Sequence, residues 1–331
     1  MTRMRAVPQT SRARAQSDPF DLLLESRTEG DGEETTVDVT DLKTFEAVAR
    51  LGGMNRAAAE LHTVQSNVTA RIRALEQELG SPLFQRHSRG VALTPAGRRL
   101  LPYAERIGHL MAEARRAVAD DGAPRGALSV GSLESTAALR LPRSLVAFAE
   151  TYPEVDLVLV PGTTAEMVER VLDHQVEGAF VCGPVSHPDL IEEVMFREEL
   201  VVVTARHVRT LQEALGRRDL KIVVLRLGCS YRQRLEEVLA RRGVVVVRRL
   251  DFGTIDGIMG CVSAGVGITL LPRSVAAAAH DAGQVAIHEL PAEEAHVETV
   301  FVRPRDGFVS SALDAFLRCV RGSAVMADAA E

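Results

Sequence analysis

At 331 residues the chain is too long for a single hydrophobic core, so two or three domains are expected. Although 46% of its residues are apolar, it has no uninterrupted apolar run of the ~18 residues a membrane helix needs. Phe20–Leu24 is too short and too broken by charge for a secretory signal, so a cytoplasmic protein without a membrane partner is expected. The net charge of −6 is unevenly spread: residues 41–100 hold nine Lys/Arg against five Asp/Glu, and screening within roughly 8–10 Å makes that local excess the relevant one for phosphates.

Residues 1–36 carry Arg3, Arg5, Arg12 and Arg14, then Ser, Pro, Gly and the acidic Asp31, Glu33 and Glu34, with little to bury. In DLKTFEAVARLGG (41–53), Leu42, Phe45, Val48 and Ala49 share one helix face, and Gly52–Gly53 stops it. Two short amphipathic helices with a turn at His62–Thr63 follow over 54–79, Asn55 being the expected N-cap of the first. Val68, Ile72, Leu75 and Leu79 form the apolar stripe of the second, and Gly80 ends it. Its other positions include Gln65, Ser66, Asn67, Thr69, Arg71 and Arg73: short hydrogen-bonding groups at the start and cations beyond, the pattern of a helix that reads DNA. A merely solvated face would look similar. Two strands around Arg86–His87–Ser88–Arg89–Gly90 make a basic wing, and Thr94–Pro95 is an N-cap with proline in the first turn.

DLKTFEAVA, GGMNRAAAELH, VQSNVTARIRALEQELGSPLF, Arg86 with Arg89, and LTPAG together resemble the DNA-binding domain of the LysR-type transcriptional regulators. The resemblance implies transcription regulation on double-stranded DNA. Gln65, Ser66 and Asn67 would lie at base edges with Thr69, Arg71 and Arg73 nearby, Asn55 and Arg56 alongside, and Arg86, His87 and Arg89 on phosphates or the minor groove. One departure stands out. Family members place Ser at the cap of the recognition helix, where this chain has Val64, so Thr63 or Ser66 would have to substitute. The resemblance begins at Val37, so residues 1–36 are either a disordered extension or a start placed too early.

Residues 95–122 read as one helix with a seam of Leu100, Ala104, Ile107, Met111, Ala114 and Val118, bent at Pro102. The seam either packs on its own domain or, as the family implies, pairs two subunits. A homotetramer and contact with RNA polymerase are implied by the family alone. After the break at 120–126 the pattern alternates strands with helices: strand 127–131, helix Ser135–Glu150 with Leu139, Leu141, Leu145 and Phe148 inward, strand 156–160, helix Ala165–His174, strands 178–183 and 199–205. Strand 221–225, helix Tyr231–Arg242, strand 244–248, helix Thr254–Ala264, strands 267–271, 285–290 and 297–303, and helix Val309–Arg321 complete the pattern. Such alternation predicts parallel sheets. YPEVDLVL, AFVCGPV and SAGVGITLLP resemble the family's periplasmic-binding-protein-like effector domain. The expected fold is therefore a mostly α winged helix-turn-helix (37–94), a dimerising linker helix (95–122), and a two-lobed α/β effector domain (123–322) with a tail at 323–331. Lobe I comprises 123–203 and 272–322, and lobe II 204–271.

A ligand in open α/β sheets sits beyond the strand ends at helix N-termini. Those ends carry Ser132, Ser135 and Thr136, then Thr163 and Thr164, then Cys182 and Gly183, and Cys229 with Ser230. Hydroxyls and amides at a positive helix end suit a carboxylate or phosphate, although Ser and Thr also cap helices routinely. Tyr231 is a weaker candidate. Glu134 would repel an anion unless it faces solvent or the ligand carries a cationic or hydroxyl group. Cys182, Cys229, Cys261 and Cys319 show no CxxC and no metal spacing, so neither metal nor disulfide is expected. Cys229, at a helix start beside Arg232, is the candidate for a lowered thiol pKa and redox sensing. The rival readings are an enzyme or a two-lobed binding module with an incidental helix-turn-helix. No GxSxG, P-loop, HExxH or framing carboxylate pair supports the former, so no catalytic residue and no cofactor beyond a small-molecule effector is expected.

Overall fold

A computed structural model describes residues 37–328 except 88, 89, 218 and 245–247; the N-terminal extension read over 1–36 lies outside the described residues. Helix α1 (Val39–Leu51) starts on Asp38, whose carboxylate accepts from the Thr40 amide at 2.7 Å, a bond that holds the Asp38 carboxyl below its ordinary pKa. It ends at Gly52, in the left-handed conformation at φ 65° that a side chain resists. Helix α2 (Met54–Glu60) is preceded by Gly53 as N-cap. Asn55 is thus not the cap; it lies inside the first turn, exposed. His62, at φ 51°, turns the chain into α3 (Gln65–Glu78).

Val64 is the α3 N-cap and supplies no side-chain acceptor. The substitutes do not cap it either: Thr63 Oγ1 instead accepts from the Asn67 side chain at 3.0 Å. Val68, Ile72 and Leu75 are buried against Leu42, Phe45, Val48, Ala57 and Ala58. Leu79 falls just past the last helical turn and is 39% exposed, so the stripe stops one residue short of the expectation. Strands β1 (Phe84–His87) and β2 (Gly90–Leu93) form the antiparallel wing. Thr94 caps α4 (Pro95–Ala119) by accepting from the Gly97 amide. A Cβ on Gly97 would sit 2.3 Å from the Leu83 carbonyl, so only glycine lets the helix lie this close to the wing's entry.

The α4 seam divides. Leu100, Ala104 and Ile107 pack on the winged domain's own core, whereas Met111, Ala114 and Val118 are exposed, Val118 at 90%. Farther along, α4 docks on the α/β region: Glu113 takes both His174 Nδ1 (2.6 Å) and the Phe308 amide (2.9 Å), and Asp120 accepts from the Ser311 amide.

The α/β region runs β3 (Gly126–Ser132), α5 (Glu134–Leu139), α6 (Pro142–Thr151), β4 (Val155–Pro161), α7 (Thr164–Leu172), β5 (Gly178–Cys182) and β6 (Leu190–Ala205). It continues with α8 (Leu211–Leu215), β7 (Lys221–Leu225), α9 (Ser230–Arg241), β8 (Arg248–Phe252), α10 (Ile255–Ser263) and β9 (Thr269–Pro272). Helix α11 (Arg273–Asp281), β10 (Val285–His288), α12 (Ala292–Ala295), β11 (His296–Pro304) and α13 (Ser311–Asp328) close it.

Five expectations are corrected. The single helix over Ser135–Glu150 is two, because Pro142 lacks the amide to continue α5 and instead starts α6; Leu139 is 47% exposed at the break. The strand expected at 244–248 lies at Arg248–Phe252, paired in parallel with β7, and residues 245–247 lie outside the described residues. The sheets are mixed: β3 is parallel to β4 and β5, but β11 runs antiparallel to β5 and β6, as β6 does to β9 and β10. The second lobe does not end at 271, since α11 and β10 pack on the far half of β6, sharing a core with Leu200–Val203 and Ile222. Finally, the tail at 323–328 continues α13.

Strand β6 organises both lobes. Its first half, Leu190–Glu199, pairs with β11, and its second half, Leu200–Ala205, pairs with β9 and β10. Phe148, Phe180, Phe301 and Phe316 centre the first lobe's core.

Candidate nucleic-acid interface and ligand cleft

The α3 surface is built by its periodicity. With Val68, Ile72 and Leu75 inward, Ser66 and Arg73 point outward and Gln65 and Asn67 flank them, all four exposed. Gln65 donates to Thr69 Oγ1 at 3.2 Å, which orients its amide along the helix. Asn55, Arg56, Gln65 and His87 converge on an open concavity of about 500 Å³ between the start of α2, the start of α3 and the wing. Arg86 lies on β1 opposite Val91; Arg89 lies outside the described residues.

Arg71 does not join this surface. It sits on the flank of α3 that faces α1, where its Nη1 is 2.7 Å from Asp41 Oδ1, and Asp41 is only 14% exposed. Arg71 therefore braces α3 on α1, a role that grouping all polar positions on one face had obscured.

The second site lies between the lobes. A cavity of about 330 Å³ opens where the starts of α5 and α7 face the end of β7 and the starts of α9 and α10. Leu133, Pro161, Leu225, Ile255 and Leu271 give it an apolar body. Of the sequence-derived candidates, Ser135, Thr163, Cys229 and Tyr231 line it, together with Glu134. Thr164, Cys182 and Ser230 form a layer behind: Thr164 Oγ1 accepts from the Cys182 amide (3.3 Å) and from the Ser230 hydroxyl (3.0 Å). Ser132 and Thr136 are fully buried; the Ser132 hydroxyl donates to the Leu133 carbonyl, and the Thr136 hydroxyl has no partner among the described residues. Gly183 is not in the cleft. Its carbonyl accepts from Arg234, and it borders a separate depression with Arg197 and Glu298.

Thr163 is a cap. Its hydroxyl accepts from the Glu166 amide while Glu166 accepts from the Thr163 amide, a reciprocal capping box that occupies two of the amides at the start of α7. Burial pushes the Cys229 thiol pKa up, outweighing the Tyr231 and Arg232 amides and the Arg232 charge, so the expected activated thiolate is overturned. Burial raises the Cys182 thiol likewise.

Several residues of this site escaped the sequence reading. Arg226 lines the cleft and reaches across it to Glu166, Nε at 3.1 Å and Nη2 at 2.9 Å. Thr254 caps α10, and Glu134 from the other lobe accepts from the Ile255 amide at 3.1 Å. Behind them Glu198, 5% exposed, takes Arg140 Nε (3.1 Å) and the Tyr231 hydroxyl (3.3 Å). Burial, with Glu198 beside it, holds the Tyr231 hydroxyl pKa well above its ordinary value. Flanked by Arg197 and Glu199 ahead of the apolar run Leu200–Val203, Glu198 carried no local signal of its burial.

Comparison with known proteins agrees with this geometry. Residues 39–98 match the model of the bacterial regulatory helix-turn-helix protein, lysR family, and residues 121–324 that of the LysR substrate binding domain. The HTH-type transcriptional regulator GltR of Bacillus subtilis is 41% identical over 280 residues, 85% of this chain and 95% of that protein. YofA of Bacillus velezensis, also an HTH-type transcriptional regulator, is 39% identical, covering 84% of this chain and 95% of its own length. Full-length CbnR, crystallised in complex with its target DNA, superposes with a TM-score of 0.62 at 25% identity, over 87% of this chain and all of that one. The chain belongs to the LysR family and is a ligand-responsive, DNA-binding transcriptional regulator rather than an enzyme.

Proposed function

We propose that Gln65, Ser66 and Asn67 read base edges in the major groove, that Asn55, Arg56 and Arg73 hold adjacent phosphates, and that Arg86, His87 and Arg89 of the wing reach the phosphates or minor groove beside them. Thr69 positions Gln65. The supporting observation is the exposed polar face of α3 beside the wing, in a region with a local positive excess. Two subunits pair through the exposed stripe of α4 (Leu110, Met111, Ala114 and Val118), so that the paired winged domains meet a two-fold symmetric site. Pairs assemble into a tetramer acting in the cytoplasm, with RNA polymerase as the protein partner.

The interlobe cleft is the effector site in this reading. Bonds across it, among them Glu134 to Ile255, Glu166 to Arg226 and Thr164 to Ser230, depend on the angle between lobes, so a ligand that alters the angle changes the spacing of the DNA-binding pairs and the DNA bend. A footprint of the purified chain upstream of its own gene, at two salt concentrations, tests the DNA half. Protection of a symmetric site that weakens steeply with salt is expected; absence of protection at low salt, repeated with a chain starting at Val37, would overturn it.

A further inference from the structure

We infer that helix α7 carries the state of the interlobe cleft to the linker helix α4, with the contact between His174 and Glu113 as the coupling point. The inference rests on the reading of the cleft as the effector site and of α4 as the pairing helix.

The two ends of α7 bear on two different bodies. At its start, three successive residues are bonded to the 226–230 loop of the second lobe. The Thr164 hydroxyl accepts from Ser230 at 3.0 Å, the Ala165 amide makes a long bond of 3.5 Å to the Gly228 carbonyl, and Glu166 takes both prongs of Arg226. Gly228, at φ 93°, admits the loop this close, since a Cβ there would sit 2.9 Å from Thr163 Oγ1. The Arg226–Glu166 pair is about half exposed, and Arg226, Gly162 and Thr163 line the cavity, so a ligand entering it competes with this grip.

At the far end the chain turns at His174, whose φ of 55° is a left-handed conformation that a residue with a side chain enters at a cost. The turn sets the imidazole against α4, Nδ1 2.6 Å from Glu113 Oε2, while His109 Nδ1 donates to the Asp173 carbonyl at 3.0 Å. His109 and Glu113 are four residues apart and share one face of α4. The adjoining face carries Leu110, Met111, Ala114 and Val118, the stripe assigned to subunit pairing. A shift of α7 therefore changes how the paired helices sit on the first lobe.

Between its ends α7 is a rod of nine residues, about 13 Å long, packed on the sheet through Met167 and Val171. Beneath it Gly131 and Gly162 present bare backbone to Met167, whose flexible thioether fills the space a Cβ would take. Strand β5 also runs from the α4 side towards the cleft, but β3 and β11 bond both its edges, so it cannot slide without breaking a ladder. Packed helices slide by about 1–2 Å in conformational switches. A 2.6 Å contact does not survive such a shift unless α4 follows.

The test is a double-mutant cycle on the full chain, read by amide hydrogen exchange. Arg226→Ala with Ser230→Ala opens the grip on α7 and leaves the Thr163–Glu166 box intact. His174→Gly removes the imidazole, and glycine takes φ 55° without strain, so a native melting temperature certifies the fold. Opening the grip in the native background is expected to speed exchange of the α4 amides 109–116 about fivefold, the low end of coupling between sites. With His174→Gly the same pair should produce no further rise, and His174→Asn, whose Nδ2 stands where the imidazole Nδ1 does, should restore the response. An α4 response that persists without the imidazole would overturn the inference. So would faster exchange at 163–167 with none in α4, and so would no change at either place, because the named bonds would then not be holding α7. Footprints of the same proteins separate the two readings. A footprint altered by the open grip with or without the imidazole keeps the cleft as the effector site and overturns the α7 route. A coupled exchange response with an unaltered footprint supports the route and refutes the cleft as the effector site.

Discussion

Replacing Arg71 and Arg73 separately by Ala distinguishes a bracing cation from a DNA-contacting one two residues away. Arg71 pairs with Asp41 at 2.7 Å, with side-chain exposures of 36% and 14%. A charge-assisted bond whose acceptor is mostly buried but whose donor is one-third exposed contributes ~1 kcal/mol after solvent screening. In a winged domain of roughly 60 residues, that loss lowers the melting temperature by ~4–8 °C. Arg73 is exposed and makes no ion pair among the described residues, so its removal should leave the melting temperature unchanged. The DNA readout is reversed. Each phosphate contact adds about 0.9 to the slope of log affinity against log salt, so Arg73→Ala should flatten the slope by about that amount per subunit and Arg71→Ala should not. Differential scanning fluorimetry and fluorescence anisotropy across a salt series read both quantities. An Arg71→Ala protein that melts normally yet loses a unit of slope would refute the assignment.

Glu198→Ala should destabilise the α/β region by ~3 kcal/mol, because it leaves Arg140 without its partner; urea denaturation measures it, and the double variant with Arg140→Ala should lose less than the sum of the two. Glu177 is half of a pair with Arg116 and accepts from the Ser310 hydroxyl, yet burial raises its carboxyl pKa. A raised carboxyl pKa means the fold favours the protonated form: that contribution is complete below the unfolded pKa and is lost as pH rises through the folded one. Glu177→Gln should therefore stabilise the protein at pH 7.5 relative to the native chain, with the advantage vanishing under acid, as followed by melting temperature against pH. Met111→Glu with Val118→Glu should shift the native assembly to a smaller species in light scattering while preserving the melting temperature, since both side chains are exposed within the single chain.

The winged helix-turn-helix was legible because its signals are local. Thr94–Pro95, Gly52 and the Val68, Ile72, Leu75 spacing each specify a turn or a face without knowledge of anything distant. The α/β region was legible as elements but not as pairings. Nothing near Val297–Arg303 says that β11 runs antiparallel to β5, because that direction is decided by where the intervening residues 183–295 place the strand. Strand length failed for the same reason: in residues 190–198 Glu192, Glu193, Arg197 and Glu198 conceal a strand in which Arg321, Glu298 and Arg140 pair with the last three and Glu192 accepts from the Val185 amide. In the cleft, the hydroxyls were found but their duties were not. Thr163 has the same side chain whether it caps or binds; only the position of Glu166 decides.

The second lobe enters and leaves the first at adjacent points, Glu199 lying opposite His296. It is a contiguous stretch of chain, whereas the first lobe's core needs Phe301, Leu313 and Phe316 from the far end. A ribosome therefore releases everything the second lobe requires while its neighbour still lacks a central strand and its last helix. Synthesis imposes an order on maturation, with the inner lobe assembling first and the outer one closing around its two ends only as translation finishes.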